Sequence, residues 1–131
     1  MVLLAGCYKA TFAPVAIEST DMCSFCRMSI SEVRYAAELI DSDEQAFKFD
    51  DVGCMVNSIK QKRSNAPISA TFVMDYEHRE WLKAGDAFYV RSSELRTPMN
   101  GGIVAFKDRS SAEAAVTKYH GTLLQFAEVT K

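Results

Sequence analysis

The chain has 131 residues, of which 48% are hydrophobic and 24% charged, so it can form one domain with a substantial core. Its 15 basic and 17 acidic residues give a formal net charge of −2 without a long basic run, which argues against nucleic-acid binding. No apolar stretch approaches the ~20 residues that a transmembrane helix needs.

The first seven residues end in Leu4-Ala5-Gly6-Cys7. This has the form of a bacterial lipobox, in which small residues precede the cysteine that receives the lipid. We therefore predict lipid attachment at Cys7 and a protein that is anchored on the extracytoplasmic side of a membrane. The preceding residues are too few for a signal peptide, so 1–20 are predicted to be a truncated lipoprotein signal and a tether. The alternative is a chance apolar start.

Two thiols and two thioethers lie close together in Met22-Cys23-Ser24-Phe25-Cys26-Arg27-Met28. Such soft donors select Cu(I) over hard cations. Two intervening residues let Cys23 and Cys26 converge on one ion, and Met28 can add a neutral third ligand. The alternatives are a structural disulfide, a redox pair, which usually lies at a helix start, and a zinc site, which would need a second Cys/His pair.

The first half of the chain predicts two strands, a helix and a third strand. Residues 35–40 and 46–50 are strands joined by the polar turn 41–44. Asp50 or Asp51 caps a helix with an apolar face formed by Val52, Met55, Val56 and Ile59. Cys54 lies off that face, so we expect a small, partly buried residue there, with metal ligation as the alternative. Residues 71–75 form the third strand.

The second half repeats this order. Strands are predicted over 87–90 and 103–106, followed by a helix that Ser110 and Glu113 begin as a capping box and Gly121 ends. Residues 122–126 are the last strand. The fold class is therefore α+β, with two related ββαβ units, about 21–79 and 80–131, packed as one compact domain.

Five other residues require interpretation. Met99 lies on the turn 97–102 outside any apolar periodicity, so it is either a soft ligand from the second half or a gap filler. His78 is expected to be exposed and His120 to end the second helix, with ligation as the less favoured alternative for both, and Met55 and Met74 are expected in the core.

The lipobox, the Cys/Met run, Phe49-Asp50-Asp51-Val52-Gly53-Cys54-Met55 and Met99-Asn100-Gly101-Gly102 follow one another in an order that resembles the NosL family. Members are copper-binding accessory lipoproteins of nitrous-oxide reductase. The resemblance covers about residues 20–126 and implies two related ββαβ units. It also implies that Cys26 and Met28 are the surest copper ligands, with Cys23 next and Met99 a further one.

The resemblance implies a Cu(I) metallochaperone rather than an enzyme. It would accept copper from a copper or ABC transporter and deliver it to nitrous-oxide reductase or a related copper enzyme, at the cell envelope. The alternatives are a thiol-disulfide reductase using Cys23 and Cys26, a thiol enzyme resembling organomercurial lyase, and a structural zinc module. No nucleic-acid partner is expected.

Overall fold

The computed structural model describes residues 12–63 and 65–131, so Cys7 lies outside the described residues. The first half forms a four-stranded antiparallel sheet of order β2-β1-β3-β4 with one helix. Its elements are β1 (Ala37–Asp41), β2 (Ala46–Phe49), α1 (Val52–Lys60), β3 (Ile68–Met74) and β4 (Trp81–Lys83). The strand β4 is an addition that the sequence pattern did not predict.

The second half forms a three-stranded antiparallel sheet of order β6-β5-β7. Its elements are β5 (Phe88–Arg91), β6 (Ile103–Phe106), α2 (Arg109–Tyr119), β7 (Thr122–Leu124) and α3 (Phe126–Val129). Two helix-containing units, each with its own antiparallel sheet, confirm the predicted α+β class. Within the described part of the chain, no helix is long and apolar enough to cross a membrane.

The two halves share one hydrophobic core. Met55 of α1 and Phe49 of β2 are fully buried in the same cluster as Tyr89 of β5 and Val129 of α3. Burying such a side chain contributes about 1.5–3 kcal/mol, so the shared cluster fixes the position of one half against the other. Met55 and Met74 are both buried, as expected.

Several predicted details of the second half are wrong. Helix α2 begins at Arg109 after Asp108, without a side-chain cap from Ser110. The left-handed residue that ends it is His120, with φ 51°, rather than Gly121. Gly121 is needed for close packing, because a Cβ there would lie 2.9 Å from the Arg91 carbonyl oxygen. The last strand stops at Leu124, where a capping box starts α3.

Residues 14–20 lie against the first sheet although they form no helix or strand. The Val15 amide donates to the Glu38 carboxylate (2.7 Å), and the Lys48 ammonium donates to the Ala16 carbonyl (2.8 Å) and to the Asp21 carboxylate (2.6 Å). All five residues of β1 are buried, so this strand is covered on both faces. The N-terminal segment therefore covers the sheet face opposite α1.

We expect the substitution Glu38→Gln to stabilise the protein increasingly as the pH rises. Glu38 is fully buried, and burial raises the pKa of its carboxyl above the ordinary 4.5. A raised folded-state pKa gives a stabilising contribution that is present below the unfolded pKa and is lost as pH rises through the folded value. The glutamine variant has no such loss.

Thermal unfolding of both proteins across a pH series measures this effect. The melting-temperature difference should favour the variant more at about pH 7 than at about pH 4. A difference that is constant with pH, or that shifts toward the wild type, would show that the Glu38 carboxylate is not disfavoured in the fold.

Candidate metal centre

The Cys23–Met28 segment folds into a tight loop closed by backbone hydrogen bonds. The Cys23 amide donates to the Met28 carbonyl (2.8 Å), and the Arg27 amide donates to the Cys23 carbonyl (2.9 Å). Arg27 takes the left-handed conformation, with φ 66°, that this reversal requires. The Ser24 amide donates to the Lys48 carbonyl (2.8 Å), which fixes the loop to β2. The pair Cys23/Cys26 therefore lies in a turn and not at a helix start.

The first turn of α1 supplies the other side of the centre. Asp51 is the N-cap, and its Oδ1 accepts from the Cys54 amide (2.8 Å). Its Oδ2 accepts from the Met99 amide (2.8 Å), which joins the 97–102 turn to the helix. A Cβ on Gly53 would lie 3.5 Å from the Gly101 Cα, so the two segments pack backbone to backbone. Asp51 thus connects the two halves beside Cys54.

Four ligand atoms converge between the loop and the helix. The Sγ atoms of Cys23, Cys26 and Cys54 and a carboxylate oxygen of Asp50 all lie within 4.8 Å of one another. Cys26 is partly buried and the other three are buried. The Cys26 thiol donates to Asp50 Oδ2 (3.4 Å), while Asp50 Oδ1 is buried without a hydrogen-bond partner among the described residues. A bound cation would compensate that oxygen, which fits a metal site.

The environment makes the three thiols unequal. Donation from the Cys54 thiol and from backbone amides lowers the pKa of Cys23 to about 6. Burial raises the pKa of Cys26 to about 11. The hydrogen bond to Cys23, together with burial and the Asp51 charge, raises the pKa of Cys54 well above its usual range. The hydrogen bonds around Cys23 therefore favour a thiolate there over one at Cys26 or Cys54, and a metal bound by all three sulfurs would displace protons.

The structure brings together Cys23 and Cys26, as the sequence analysis expected, and adds two residues. Cys54 was expected to be a small, partly buried residue, with metal ligation as the alternative, and it is 2% exposed with its sulfur in the cluster. Of the two predicted cap candidates, Asp51 is the helix cap, and Asp50 is left to contact Cys26. The adjacent carboxylates followed by a cysteine in the first helical turn were the available signal. All three cysteines are free thiols here.

Three exposed methionines occur on the segments that build the centre. Met22, Met28 and Met99 have exposed fractions of 58%, 60% and 45%. Large exposed apolar side chains next to a thiol cluster are available to a metal or to a partner. Ligation by Met28 and Met99 stays a prediction. The exposed fractions argue against a core position for Met28 and against the alternative that Met99 fills a gap in the core.

The histidines lie elsewhere. The His78 side chain is 53% exposed and its Nδ1 lies 2.8 Å from the Asp75 carboxylate. The His120 side chain is 81% exposed and its Nδ1 lies 3.0 Å from the Glu94 carboxylate. Each has a carboxylate partner of its own and neither belongs to the four-residue cluster.

Fold and site together define a class of protein: an α+β domain of two sheet-and-helix units, with a thiol-carboxylate cluster that could hold a metal ion next to the contact between its halves. The family model of NosL matches residues 14–131, and the chain belongs to this family. Membership confirms the family resemblance seen in the sequence.

The comparison with solved structures agrees on the fold. The crystal structure of the copper chaperone NosL from Shewanella denitrificans superposes with a TM-score of 0.82 at 24% sequence identity. The match covers 91% of this chain and 96% of that one. No curated protein sequence matched the chain.

Proposed function

We propose that this protein is a Cu(I)-binding metallochaperone. The observation that carries the proposal is the convergence of three thiol sulfurs and one carboxylate oxygen within 4.8 Å at the start of α1. Soft thiolates select Cu(I), and the positive end of a helix favours an anionic sulfur in its first turn. The family match and the similarity to a solved copper chaperone support the same function.

Zinc is the second candidate, because three cysteines and an aspartate supply the four donors of a tetrahedral zinc site. Thioether sulfur distinguishes the two metals, since methionine is a soft ligand for Cu(I), whereas protein zinc sites use Cys, His and carboxylate ligands. Copper is favoured because Met28 follows Cys26 closely on the Cys23–Met28 loop (the metal loop) and is 60% exposed. Met28 and Met99 are the proposed thioether ligands beside Cys23 and Cys26.

The proposed role is delivery. Cys26 is the partly buried member of the cluster, so a partner's ligands can reach the ion from this side and exchange with it. The proposed recipient is nitrous-oxide reductase or a related copper enzyme, and the proposed donor is a copper or ABC transporter. The chaperone title of the Shewanella relative agrees with this role.

The proposed location is the extracytoplasmic face of a membrane, through a lipid on Cys7. The sequence Leu4-Ala5-Gly6-Cys7 supports it. When the natural gene is expressed in a bacterium with a lipoprotein pathway, the wild-type protein should fractionate with membranes and Cys7→Ser should not. Equal membrane association of both proteins would contradict lipid attachment at this position.

Anaerobic titration of the reduced protein with Cu(I) against a chromogenic chelator tests the copper proposal. We expect one ion per chain. Loss of a residue that supports a metal ligand costs ~10–100-fold in affinity. Met28→Leu removes a neutral ligand and should cost at least ~10-fold, whereas Cys26→Ser removes an anionic ligand and should cost at least ~100-fold. The matched control is Met74→Leu, a buried methionine of β3 that lies outside the centre.

The same series with Zn²⁺ separates the two metals. Zinc binding that is tighter than copper binding and indifferent to Met28→Leu would overturn the copper proposal in favour of a zinc site. Reduction of a disulfide substrate by the metal-free protein would favour the reductase alternative.

A further inference from the structure

A groove lies directly beside the metal loop, and nothing in the proposed copper chemistry uses it. Its volume is about 620 Å³, and it is bounded by the loop residues Ser24 and Arg27, the face of the first sheet and the C-terminal end of α1. Cavities of this size accept a drug-sized molecule or a few side chains of a partner.

The floor of the groove is apolar. Leu39 of β1 and Phe47 of β2 are cross-strand neighbours on the same face of the sheet, and Ile59 of α1 and Ile68 of β3 complete the lining. Ile68 is 42% exposed. The floor therefore offers hydrophobic surface that an inserted apolar side chain would bury.

The rim of the groove is basic. Arg27 comes from the metal loop, and Lys62 and Arg63 come from the residues that follow α1. No acidic residue is among the described residues that line it, although the whole chain has more acidic than basic residues. Cations near a helix C-terminus also complement its dipole, which would account for Lys62 and Arg63. Arg27 belongs to another element, so the dipole does not explain its position.

One contact connects the rim to the metal loop. The Arg63 guanidinium carbon lies 4.4 Å from the centre of the Phe25 ring, and Phe25 stands between the two loop cysteines. A partner segment that engages Arg63 in the groove would therefore lie within reach of the segment that holds the metal.

We propose that this groove docks an acidic, apolar segment of the protein that exchanges copper with this chain. The proposal rests on the proposed copper function for the identity of the partner. Apolar side chains of the segment occupy the floor, and its carboxylates pair with Arg27, Lys62 and Arg63. Charge complementarity of this kind raises the association rate and fixes the orientation of encounter, which places the partner beside Cys26.

The test uses the full chain and two synthetic, fluorescein-labelled peptides, one alternating Glu with Leu and the other alternating Lys with Leu. By fluorescence anisotropy we expect the Glu peptide to bind at least ~10-fold more tightly, with a preference that weakens as salt is added. The variant Lys62→Glu/Arg63→Glu should reverse the preference. The matched control Lys83→Glu/Arg91→Glu alters two exposed cations outside the groove and should leave it unchanged.

Three results would overturn the docking proposal. These are equal binding of the two peptides, a preference that survives the Lys62/Arg63 reversal, and saturation of the groove by decanoate with no binding of either peptide, which would make it a small-carboxylate site.

Cu(I) titration of the same samples keeps the two proposals apart. Intact copper binding without peptide preference rejects only the groove, whereas the absence of copper binding rejects the metallochaperone and leaves the peptide result to judge the groove.

Discussion

The substitution Cys54→Ser should lower the affinity for Cu(I) by about 100-fold or more, as much as the loss of either loop cysteine. Its sulfur lies within 4.8 Å of the other three ligand atoms, and its side chain is buried at 2% exposure. Removal of Cys54 leaves two thiolates and one carboxylate, beside the proposed thioethers, for a cation that prefers anionic sulfur. Chelator competition measures the affinity, and circular dichroism checks that the variant is folded.

Cys7→Ser is the matched control, because it removes the cysteine that the proposed site does not include. It should leave the affinity for Cu(I) unchanged. If Cys54→Ser binds copper as tightly as the wild type while remaining folded, the site consists of the loop residues alone. If Cys7→Ser weakens binding as much as Cys54→Ser, the assignment of the cluster to Cys23, Cys26, Asp50 and Cys54 is wrong.

Local pattern was sufficient for most of the fold. The alternation in 46–50 predicted β2, and the i, i+3, i+4, i+7 spacing of Val52, Met55, Val56 and Ile59 predicted α1. The strand β4 escaped prediction because three residues are too short to show a period, and Trp81 pairs with Met74 only once the chain has turned back. The false cap at Ser110 shows that a capping-box pattern alone does not fix a helix start, because the N-cap residue is Asp108, two residues earlier.

The candidate site was predicted only in part because two of its four residues reach the others only through the tertiary fold. Cys23 and Cys26 are close in sequence, so their spacing alone predicts convergence. Cys54 and Asp50 reach them because β2 leads into α1 beside the loop, and the Ser24 amide holds that loop to the Lys48 carbonyl at 2.8 Å. The helical position of Cys54 relative to Val52 placed it off the core face of α1. The Cys23–Met28 loop packs against that side of the helix.

Asp51→Ala should destabilise the protein by about 3 kcal/mol, the sum of a lost helix cap and of the Met99 amide left without its part-buried hydrogen bond. Asp51 is 1% exposed, and its two carboxylate oxygens accept from the Cys54 and Met99 amides at 2.8 Å each. For a domain of this size the melting temperature should fall by about 10 °C. The control Asp43→Ala changes an exposed turn carboxylate and should stay within about 0.5 kcal/mol of the wild type.

The variant Asp51→Asn separates the two roles of this carboxylate. An amide keeps one acceptor for the Cys54 amide but opposes its NH₂ group to the Met99 amide, so the helix cap survives and the link to the second half is lost. If Met99 is a copper ligand, Asp51→Asn and Met99→Leu should each weaken Cu(I) binding, and the double variant should lose less than the sum of the two free energies. Additive losses would show that Asp51 does not act through Met99. Unchanged affinity in Met99→Leu would remove Met99 from the ligand set and leave Asp51 with a purely structural role.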